Sequence, residues 1–172
     1  MSSRLKIVAF DFGHTLADER LPLEAEPIAL MPGVVNAMSN ISLPLAVWAN
    51  TRNAGEAAIR EWLQRAGLNQ LFVSVITSVD AGARKPAPQF FKYALAQCGV
   101  TKEDVLFVGN QLNTDILGGE AFGIHTVWLS GSAYRSDDDA ACDAEPTFTI
   151  ESLYDLPALV RRLCTVSSHV SK

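Results

Sequence analysis

Short apolar runs alternate with longer segments of helical period along most of the chain, and this alternation limits the fold more than any other feature. Most of the apolar runs are hydrophobic on both faces, which is typical of parallel strands covered by helices on each side. The strand candidates are Leu5–Phe10, Leu45–Ala49, Val73–Thr77, Val105–Gly109, His125–Leu129 and Phe148–Ile150. The helix candidates are Gly33–Ile41, Ala54–Ala66, Pro88–Cys98, Thr114–Phe122 and Leu153–Cys164. Because strands and helices follow one another in turn, the sequence predicts a doubly wound α/β sheet.

Glycine and proline mark several of the predicted helix boundaries. Gly67 and Gly99 stand where a helix should end, and Pro32 and Pro88 suit the first turn of the helix that follows each of them. These positions support the boundaries that the hydrophobic pattern gives.

Two segments depart from the alternation and are predicted to be loops. Ala17–Leu30 carries Pro22 and Pro27 among charged residues, and Gly131–Pro146 contains a run of aspartates. No internal repeat, low-complexity tract or interdomain linker separates the other segments. A length of 172 residues is ordinary for one domain, so we expect residues 1–172 to form a single domain.

The composition is that of an ordinary globular protein, with 48% hydrophobic and 19% charged residues. A net charge of −5 and a pI near 5.1 disfavour binding to nucleic acid or to an anionic membrane surface. No apolar stretch approaches the roughly 18 residues of a membrane span, and the first residues lack the features of a signal peptide. The three cysteines have no metal-like spacing, and Cys98 and Cys164 fall on predicted helices as small core residues. We therefore expect a cytoplasmic protein.

Polar side chains follow four of the predicted strands, either directly or after a short loop. In open α/β sheets, functional groups collect beyond the carboxyl ends of the strands. The residues at these ends are Asp11, Asn50, Thr51, Lys85, Asn110 and Asp115. We therefore expect two carboxylates, one lysine and several hydroxyl or amide groups to converge from four separate segments.

This set of side chains suits phosphoryl transfer. A carboxylate such as Asp11 can attack an electrophile and form an acyl-phosphate, and a nearby lysine keeps that carboxylate ionised. A second carboxylate lets the site hold Mg²⁺, which prefers oxygen ligands. The backbone N–H groups of a tight turn such as Phe12–His14 can cradle an anion. Positioning and charge neutralisation supply most of the catalysis in such reactions.

The four strand-end motifs resemble, in the same order, those of the haloacid dehalogenase (HAD) superfamily. They read "FDFGHTL", "WANT", "ARKPAP" and "VGNQLNTDILGGEAFGIHTVWL", and the resemblance extends from about Lys6 to Leu159. It implies a Rossmann-like three-layer α/β/α sandwich with a central parallel sheet.

The resemblance also implies a role for each motif residue. The implied catalytic residues are Asp11, as the nucleophile, and Lys85. The residues implied to bind the substrate are Thr51, or Asn50 in a shifted alignment, with Phe12 and His14 in the turn. The implied Mg²⁺ ligands are Asp11, the Gly13 carbonyl, Asn110 and Asp115.

Two motif positions depart from the pattern of the family's phosphatases. A second aspartate, two residues after the nucleophile, serves them as general acid and base, and here that position is Gly13. Glycine carries no proton, and the side chain of His14 is expected to point elsewhere. The usual Gly-Asp of the fourth motif is Gly109-Asn110, which exchanges a charged metal ligand for a neutral amide.

The chain has no segment that is long enough to form a cap domain at either of the family's usual positions. Only Ala17–Leu30 lies between the first motif and the first predicted helix, and an ordinary helix–strand unit fills the stretch from Thr51 to Lys85. Capless members of the family use a neighbouring subunit as a cover or act on macromolecules. Both a homo-oligomer and a phosphorylated macromolecular substrate therefore stay open, beside a small phosphorylated molecule.

Each of these residues also has a purely structural interpretation. Asp11 could cap a turn, Thr51 could cap the following helix, and Asp115 could favour a helix dipole from the first turn. Lys85 could be a surface lysine before a proline. The order of the four motifs favours the site roles.

Three functions are compatible with the sequence. The first is a Mg²⁺-dependent phosphatase-like hydrolase that forms an aspartyl-phosphate on Asp11, with weak or atypical activity because Gly13 replaces the general acid. The second is dehalogenase-like attack on carbon, which needs no general acid but is disfavoured by the missing cap. The third is a pseudo-phosphatase that binds a phosphorylated ligand or a protein partner without turnover.

Overall fold

The structure is a computed structural model and describes residues 5–22, 24–132, 134 and 142–166. Its strands are β1 (Ile7–Phe10), β2 (Leu45–Ala49), β3 (Phe72–Thr77), β4 (Val105–Gly109), β5 (His125–Leu129) and β6 (Phe148–Ile150). Its helices are α1 (Val34–Asn40), α2 (Glu56–Arg65), α3 (Ser78–Ala81), α4 (Pro88–Cys98), α5 (Leu117–Phe122) and α6 (Leu156–Val166). The predicted strands are all present, and their bounds differ from the prediction only at the first residues of β1 and β3.

The six strands form one sheet in the order β3-β2-β1-β4-β5-β6, and every neighbouring pair is parallel. The chain moves outward from β1 to β3, returns to the centre at β4, and moves outward again to β6. The two halves therefore diverge between β1 and β4, which is where ligands bind in doubly wound sheets. The predicted α/β class is confirmed.

Two hydrophobic clusters cover the two faces of the sheet. Alternate residues of each central strand contribute to different clusters, as the pleat of a strand requires. Phe10 packs with Trp62 of α2 and with residues of α1 and α6 on one face. Trp48 packs with Phe91 of α4 and with Phe107 on the other face. The sheet between two helical layers is the expected three-layer sandwich.

Some helix boundaries differ from the prediction for local reasons. Gly33 precedes α1 with a φ of 86°, and this left-handed conformation prevents the helix from extending back to include Pro32. The predicted helix Thr114–Phe122 begins with a π-helical turn over Leu112–Ile116 and continues as α5. The short helix α3 has no counterpart in the prediction.

The other predicted boundary residues behave as expected. Gly99 adopts a φ of 64° directly after α4, whose first residue is Pro88. Gly67 follows α2 with a φ of 71°. Cys98 and Cys164 are half-buried and pack at the edges of the two hydrophobic clusters rather than within them.

The segment between β1 and α1 contains no helix or strand in its described residues. Ala17 forms isolated β-bridges with Gly13 on one side and with Leu30 on the other, so the loop folds back over the end of β1. The segment between β2 and α4 contains α2, β3 and α3 and nothing larger. Residues 133 and 135–141 of the second predicted loop lie outside the described part of the chain. None of the described helices is both long and apolar enough to span a bilayer.

Candidate active site

Asp11 directly follows β1, at the point where the two halves of the sheet diverge. Its N–H donates to the Val108 carbonyl at 2.8 Å, which extends the pairing of β1 with β4 by one residue. All four residues of β1 are buried, and Asp11 itself is 7% exposed. The sheet therefore fixes the backbone of Asp11 and directs its carboxylate to the strand ends.

Lys85 lies at the centre of the site and uses all three of its ammonium donors. Its Nζ is 2.7 Å from Asp11 Oδ1, 2.7 Å from Asp115 Oδ1 and 2.7 Å from the Trp48 carbonyl oxygen. The Lys85 side chain is 0% exposed, and its Nζ lies 5.0 Å from the centre of the Phe107 ring. Residues that are far apart in the sequence are thus joined by one buried cation.

Burial and the neighbouring charges of the site shift the pKa values of Lys85 and Asp115. Burial alone would lower the pKa of Lys85, but Asp11 and Asp115 outweigh it and raise that pKa above its ordinary value. Burial, and then the charge of Asp11, raise the pKa of Asp115 to about 6, against the lowering effect of Lys85 and of the Gln111 N–H. The site therefore holds two acids around one cation and favours the binding of further positive charge.

Asn50 and Thr51, at the end of β2, support Lys85 and the neighbouring loop. The Asn50 side chain donates to the Lys85 carbonyl at 2.9 Å and accepts from the Lys85 N–H at 2.9 Å. The Thr51 hydroxyl donates to the Ala54 carbonyl, and its backbone bonds to the Ser78 hydroxyl. Asn50 thus holds the backbone that carries the lysine, and Thr51 closes a turn before α2.

The turn after Asp11 is built from three residues with different surroundings. The Phe12 side chain is buried against Trp62, with ring centres 4.9 Å apart. His14 has a φ of 55° and donates its N–H to the Ala17 carbonyl at 2.7 Å, so that amide is not free to bind an anion. Burial lowers the pKa of His14, with an opposing contribution from Asp18. Gly13 lies between Phe12 and His14 and lines the cavity described next.

A cavity of about 180 Å³ opens beside Asp11. The predicted site residues that line it are Asp11, Gly13, His14, Asn50, Lys85 and Asp115. Phe12, Thr51 and Asn110 do not line it. Four lining residues were not predicted from the sequence, namely Glu19, Gln111, Thr114 and Tyr134. Glu19 comes from the loop after β1, and burial raises its pKa.

The atoms around the cavity that could hold a hard cation are carboxylate and amide oxygens. One oxygen of Asp11 and one of Asp115 bond to Lys85, and both residues line the cavity. The Asn110 amide oxygen accepts from the Thr15 hydroxyl at 3.2 Å, and its buried amide nitrogen has no partner among the described residues. Within the described residues, no group of three or more His, Cys, Asp or Glu side chains could hold a metal ion. Two carboxylates would therefore need neutral oxygens beside them.

Comparisons with known proteins agree with the motifs. The family described as HAD-hydrolase-like matches residues 82–156. The chain is 33% identical over 152 residues to the pyrimidine 5'-nucleotidase YjjG of Escherichia coli. This match covers 80% of this chain and 66% of that protein. It is 35% identical over 107 residues to the glyceraldehyde 3-phosphate phosphatase of Methanocaldococcus jannaschii, which covers 61% of this chain and 46% of that protein.

The chain thus spans between about half and two thirds of the length of these curated relatives. The fold also resembles the crystal structure of the HAD-hydrolase YfnB from Bacillus subtilis bound to magnesium. The TM-score is 0.74 at 18% identity, and the match covers 92% of this chain and 99% of that chain. Family match, relatives, fold and the order of the strand-end motifs lead to one assignment: this chain belongs to the haloacid dehalogenase superfamily.

Proposed function

We infer that the chain is a phosphatase-like hydrolase that forms an aspartyl-phosphate on Asp11. The observation that carries this inference is the contact of the Lys85 ammonium with both Asp11 and Asp115 at the floor of an open cavity. Two curated relatives are named as a nucleotidase and a phosphatase, which supports a phosphate ester as the substrate. The substrate is a small phosphorylated molecule or a phosphorylated macromolecule.

The geometry supports Asp11 as the nucleophile of the first chemical step. The Lys85 ammonium donates to one of the two Asp11 carboxylate oxygens, and the sheet fixes the Asp11 backbone. An Asp11 oxygen attacks phosphorus, and the bond to the leaving oxygen breaks. The ammonium also neutralises part of the charge of the phosphoryl group, which is the main form of catalysis in this reaction.

Asp11, Asp115 and the Gly13 carbonyl would hold Mg²⁺. The bound ion would supply positive charge to the phosphoryl oxygens. The Asn110 side-chain oxygen accepts from the Thr15 hydroxyl, and Asn110 does not line the cavity, so Asn110 would hold the cation only after its side chain moves. In the same way, Thr51 would donate to a phosphoryl oxygen only after releasing the Ala54 carbonyl. Asn50 acts as a positioning residue through the Lys85 backbone.

The test is the turnover of p-nitrophenyl phosphate with Mg²⁺ and with EDTA, by the wild-type protein and by Asp11→Asn. We expect metal-dependent release of nitrophenolate, and its loss by at least about 10³-fold in Asp11→Asn because the nucleophile is gone. Asp155→Asn, at an exposed position before α6, removes the same charge away from the site and should keep full activity. If Asp11→Asn and Asp155→Asn turn over equally well, the nucleophile assignment is wrong.

A phosphate-binding protein without turnover is the second candidate, because within the described residues no group of three or more His, Cys, Asp or Glu side chains could hold a metal ion. In that case an oxyanion such as vanadate raises the unfolding temperature while no nitrophenolate appears. Attack on carbon would instead release halide from a 2-haloacid in the presence of EDTA.

A further inference from the structure

The space in which a side chain at position 13 would begin is occupied by the Glu19 carboxylate. A Cβ atom built on Gly13 would lie 2.6 Å from Glu19 Oε2, 2.7 Å from its Cδ and 2.9 Å from its Oε1. The Glu19 carboxylate therefore lies where the Cβ atom of a side chain at position 13 would be. The acid that position 13 lacks is replaced in space by an acid from six residues further along the chain.

Backbone hydrogen bonds in the loop after β1 bring residue 19 close to residue 13. His14 turns the chain with its positive φ, and its N–H bonds to the Ala17 carbonyl at 2.7 Å. The Asp18 N–H then donates to the Ala29 carbonyl at 2.9 Å. These bonds hold the backbone directly before Glu19 to the rest of the loop, and residue 19 lies close to residue 13.

Glu19 also faces the reacting groups and keeps access to water. It lines the same cavity as Asp11 and Lys85, and its side chain is 44% exposed. His14 Nε2 is 4.0 Å from Glu19 Oε2, which is beyond hydrogen-bond distance. The Glu19 carboxylate therefore makes no hydrogen bond to His14, and it is accessible both from the cavity and from solvent.

We propose that Glu19 is the proton donor and acceptor of the reaction, in the place of the side chain that Gly13 does not have. The proposal rests on the phosphatase function argued above. It explains how a chain with glycine at this position can complete a cycle that needs a proton carrier.

The two half-reactions balance with this assignment. In the first, Asp11 bonds to phosphorus, the bond to the leaving oxygen breaks with its electron pair on that oxygen, and the leaving oxygen takes the proton of Glu19. In the second, the Glu19 carboxylate takes a proton from water, whose oxygen bonds to phosphorus. The bond between phosphorus and Asp11 breaks with its electron pair on Asp11. One phosphate ester and one water become an alcohol and inorganic phosphate, and both acids return to their first state.

The test compares two leaving groups in the full-length wild-type protein, Glu19→Gln and the control Glu24→Gln. Glutamine keeps the size of the side chain but carries no exchangeable acid proton, and Glu24 is an exposed acid of the same loop that does not line the cavity. p-Nitrophenolate leaves with little protonation, whereas the alkoxide of glycerol 2-phosphate needs a proton. The measurements are kcat/KM for glycerol 2-phosphate and the pre-steady-state release of nitrophenolate.

We expect Glu19→Gln to lose about 10²-fold or more in kcat/KM for glycerol 2-phosphate. With p-nitrophenyl phosphate, it should release a first burst of nitrophenolate at a rate within about threefold of the wild type and then turn over slowly. The burst arises because the aspartyl-phosphate forms normally but its hydrolysis lacks a base. A structural role for Glu19 would not produce this separation, and Glu24→Gln should match the wild type in both assays.

A second pair of variants keeps the test decisive if glutamine disturbs the loop. Gly13 does not have a positive φ, so its backbone accepts an aspartate, and Glu19→Ala removes the carboxylate that would collide with it. We expect Gly13→Asp with Glu19→Ala to recover at least about tenfold in glycerol 2-phosphate turnover over Glu19→Ala alone.

The outcomes separate this proposal from the proposed function. Wild-type protein that releases no nitrophenolate contradicts the phosphatase function itself. A different result overturns only the role of Glu19. In that case Glu19→Gln shows the same metal-dependent turnover as Glu24→Gln, with no burst and no dependence on the leaving group.

Discussion

At the scale of single residues, the buried ammonium of Lys85 is the strongest constraint on the site. Its three donors are all used, and the carboxylates of Asp11 and Asp115 both depend on it for charge compensation. Removing one member of a buried ion cluster leaves the other charges buried without a partner. This strongly lowers the free energy of unfolding, even where replacing the whole cluster by apolar residues would not. Lys85 therefore links the chemistry of the site to the stability of the fold.

We predict that Lys85→Met abolishes turnover and lowers the free energy of unfolding by about 3–5 kcal/mol at pH 7. Methionine fills the space but leaves two acids side by side. Mg²⁺ should restore more stability to this variant than to the wild type, because the cation replaces part of the lost charge. Urea denaturation with and without Mg²⁺ measures both effects. Lys92→Met, on the exposed side of α4, is the control, and equal unfolding midpoints for the two variants would contradict the prediction.

Of the residues predicted from the sequence, Asp11 directly follows a strand, whereas Lys85 and Asp115 come after a loop or a turn that follows a later strand. Asp11, Lys85 and Asp115 meet as expected because parallel strands bring their carboxyl ends to one edge of the sheet. Glu19 was missed because its place depends on how an irregular loop folds back, which no hydrophobic period encodes. The hydrogen bond of the Thr51 hydroxyl to Ala54 is equally local and was visible only in the structure.

At the scale of elements, the strands entering the site are anchored at their opposite ends by a small polar cluster. Asp104, in the 3₁₀ turn Lys102–Asp104 before β4, accepts from the Thr101 N–H at 3.0 Å and from its hydroxyl at 3.1 Å. Its Oδ2 also accepts from Lys6 Nζ at 3.0 Å, and its carbonyl accepts from the Lys6 N–H at 2.8 Å. One aspartate thus joins the beginnings of β1 and β4, the two strands that place Asp11 and Asn110.

These bonds make Asp104 a pH-dependent contributor to stability. The Thr101 N–H, and then the Lys6 ammonium, hold the pKa of Asp104 below its ordinary value. A lowered folded-state pKa means that the stabilisation is complete above the unfolded pKa of about 3.9 and is lost as the pH falls through the folded pKa. Asp104→Asn should therefore cost about 1 kcal/mol at pH 7 and progressively less below about pH 4. Urea titrations at several pH values, with the exposed Asp143→Asn as the control, measure this difference. A cost that stays constant down to pH 3 would show that the charge of Asp104 is not involved.

The hydrophobic period of the sequence predicted where the helices and strands lie. The places where the structure differs from that prediction are due to local backbone conformation. The left-handed Gly33 delays α1 by two residues beyond Pro32, and the π-helical turn before α5 shifts Asp115 relative to a regular helix. In that turn the Asp115 carboxylate also accepts from the Gln111 N–H at 3.1 Å. The spacing of apolar residues predicted a helix here but could not predict its π-helical first turn. That turn places the Asp115 carboxylate beside Lys85.

At the scale of the whole molecule, the site joins four segments that the chain brings together only on complete folding. Asp11 follows β1, the Trp48 carbonyl belongs to β2, Lys85 precedes α4, and Asp115 follows β4. A ligand that bridges these groups binds the folded chain and not the unfolded one, so its binding free energy adds to global stability. Within the described residues, the cavity is lined by the loop after β1, by Tyr134 and by the segment after β4.

We predict that Mg²⁺ together with beryllium fluoride, which mimics a phosphoryl group on an aspartate, raises the unfolding temperature of the wild-type protein by about 5–10 °C. This shift corresponds to a gain of about 2.7 kcal/mol when the free ligand is about 100 times its Kd, for a chain of this size. Asp11→Asn should show no shift beyond that of Mg²⁺ and fluoride without beryllium, because the bond to the carboxylate is missing. Differential scanning calorimetry measures both proteins. An equal shift in Asp11→Asn would place the anion away from Asp11 and would contradict the covalent step. A shift confined to the wild type would show that a ligand on Asp11 stabilises the fold that brings the four segments together.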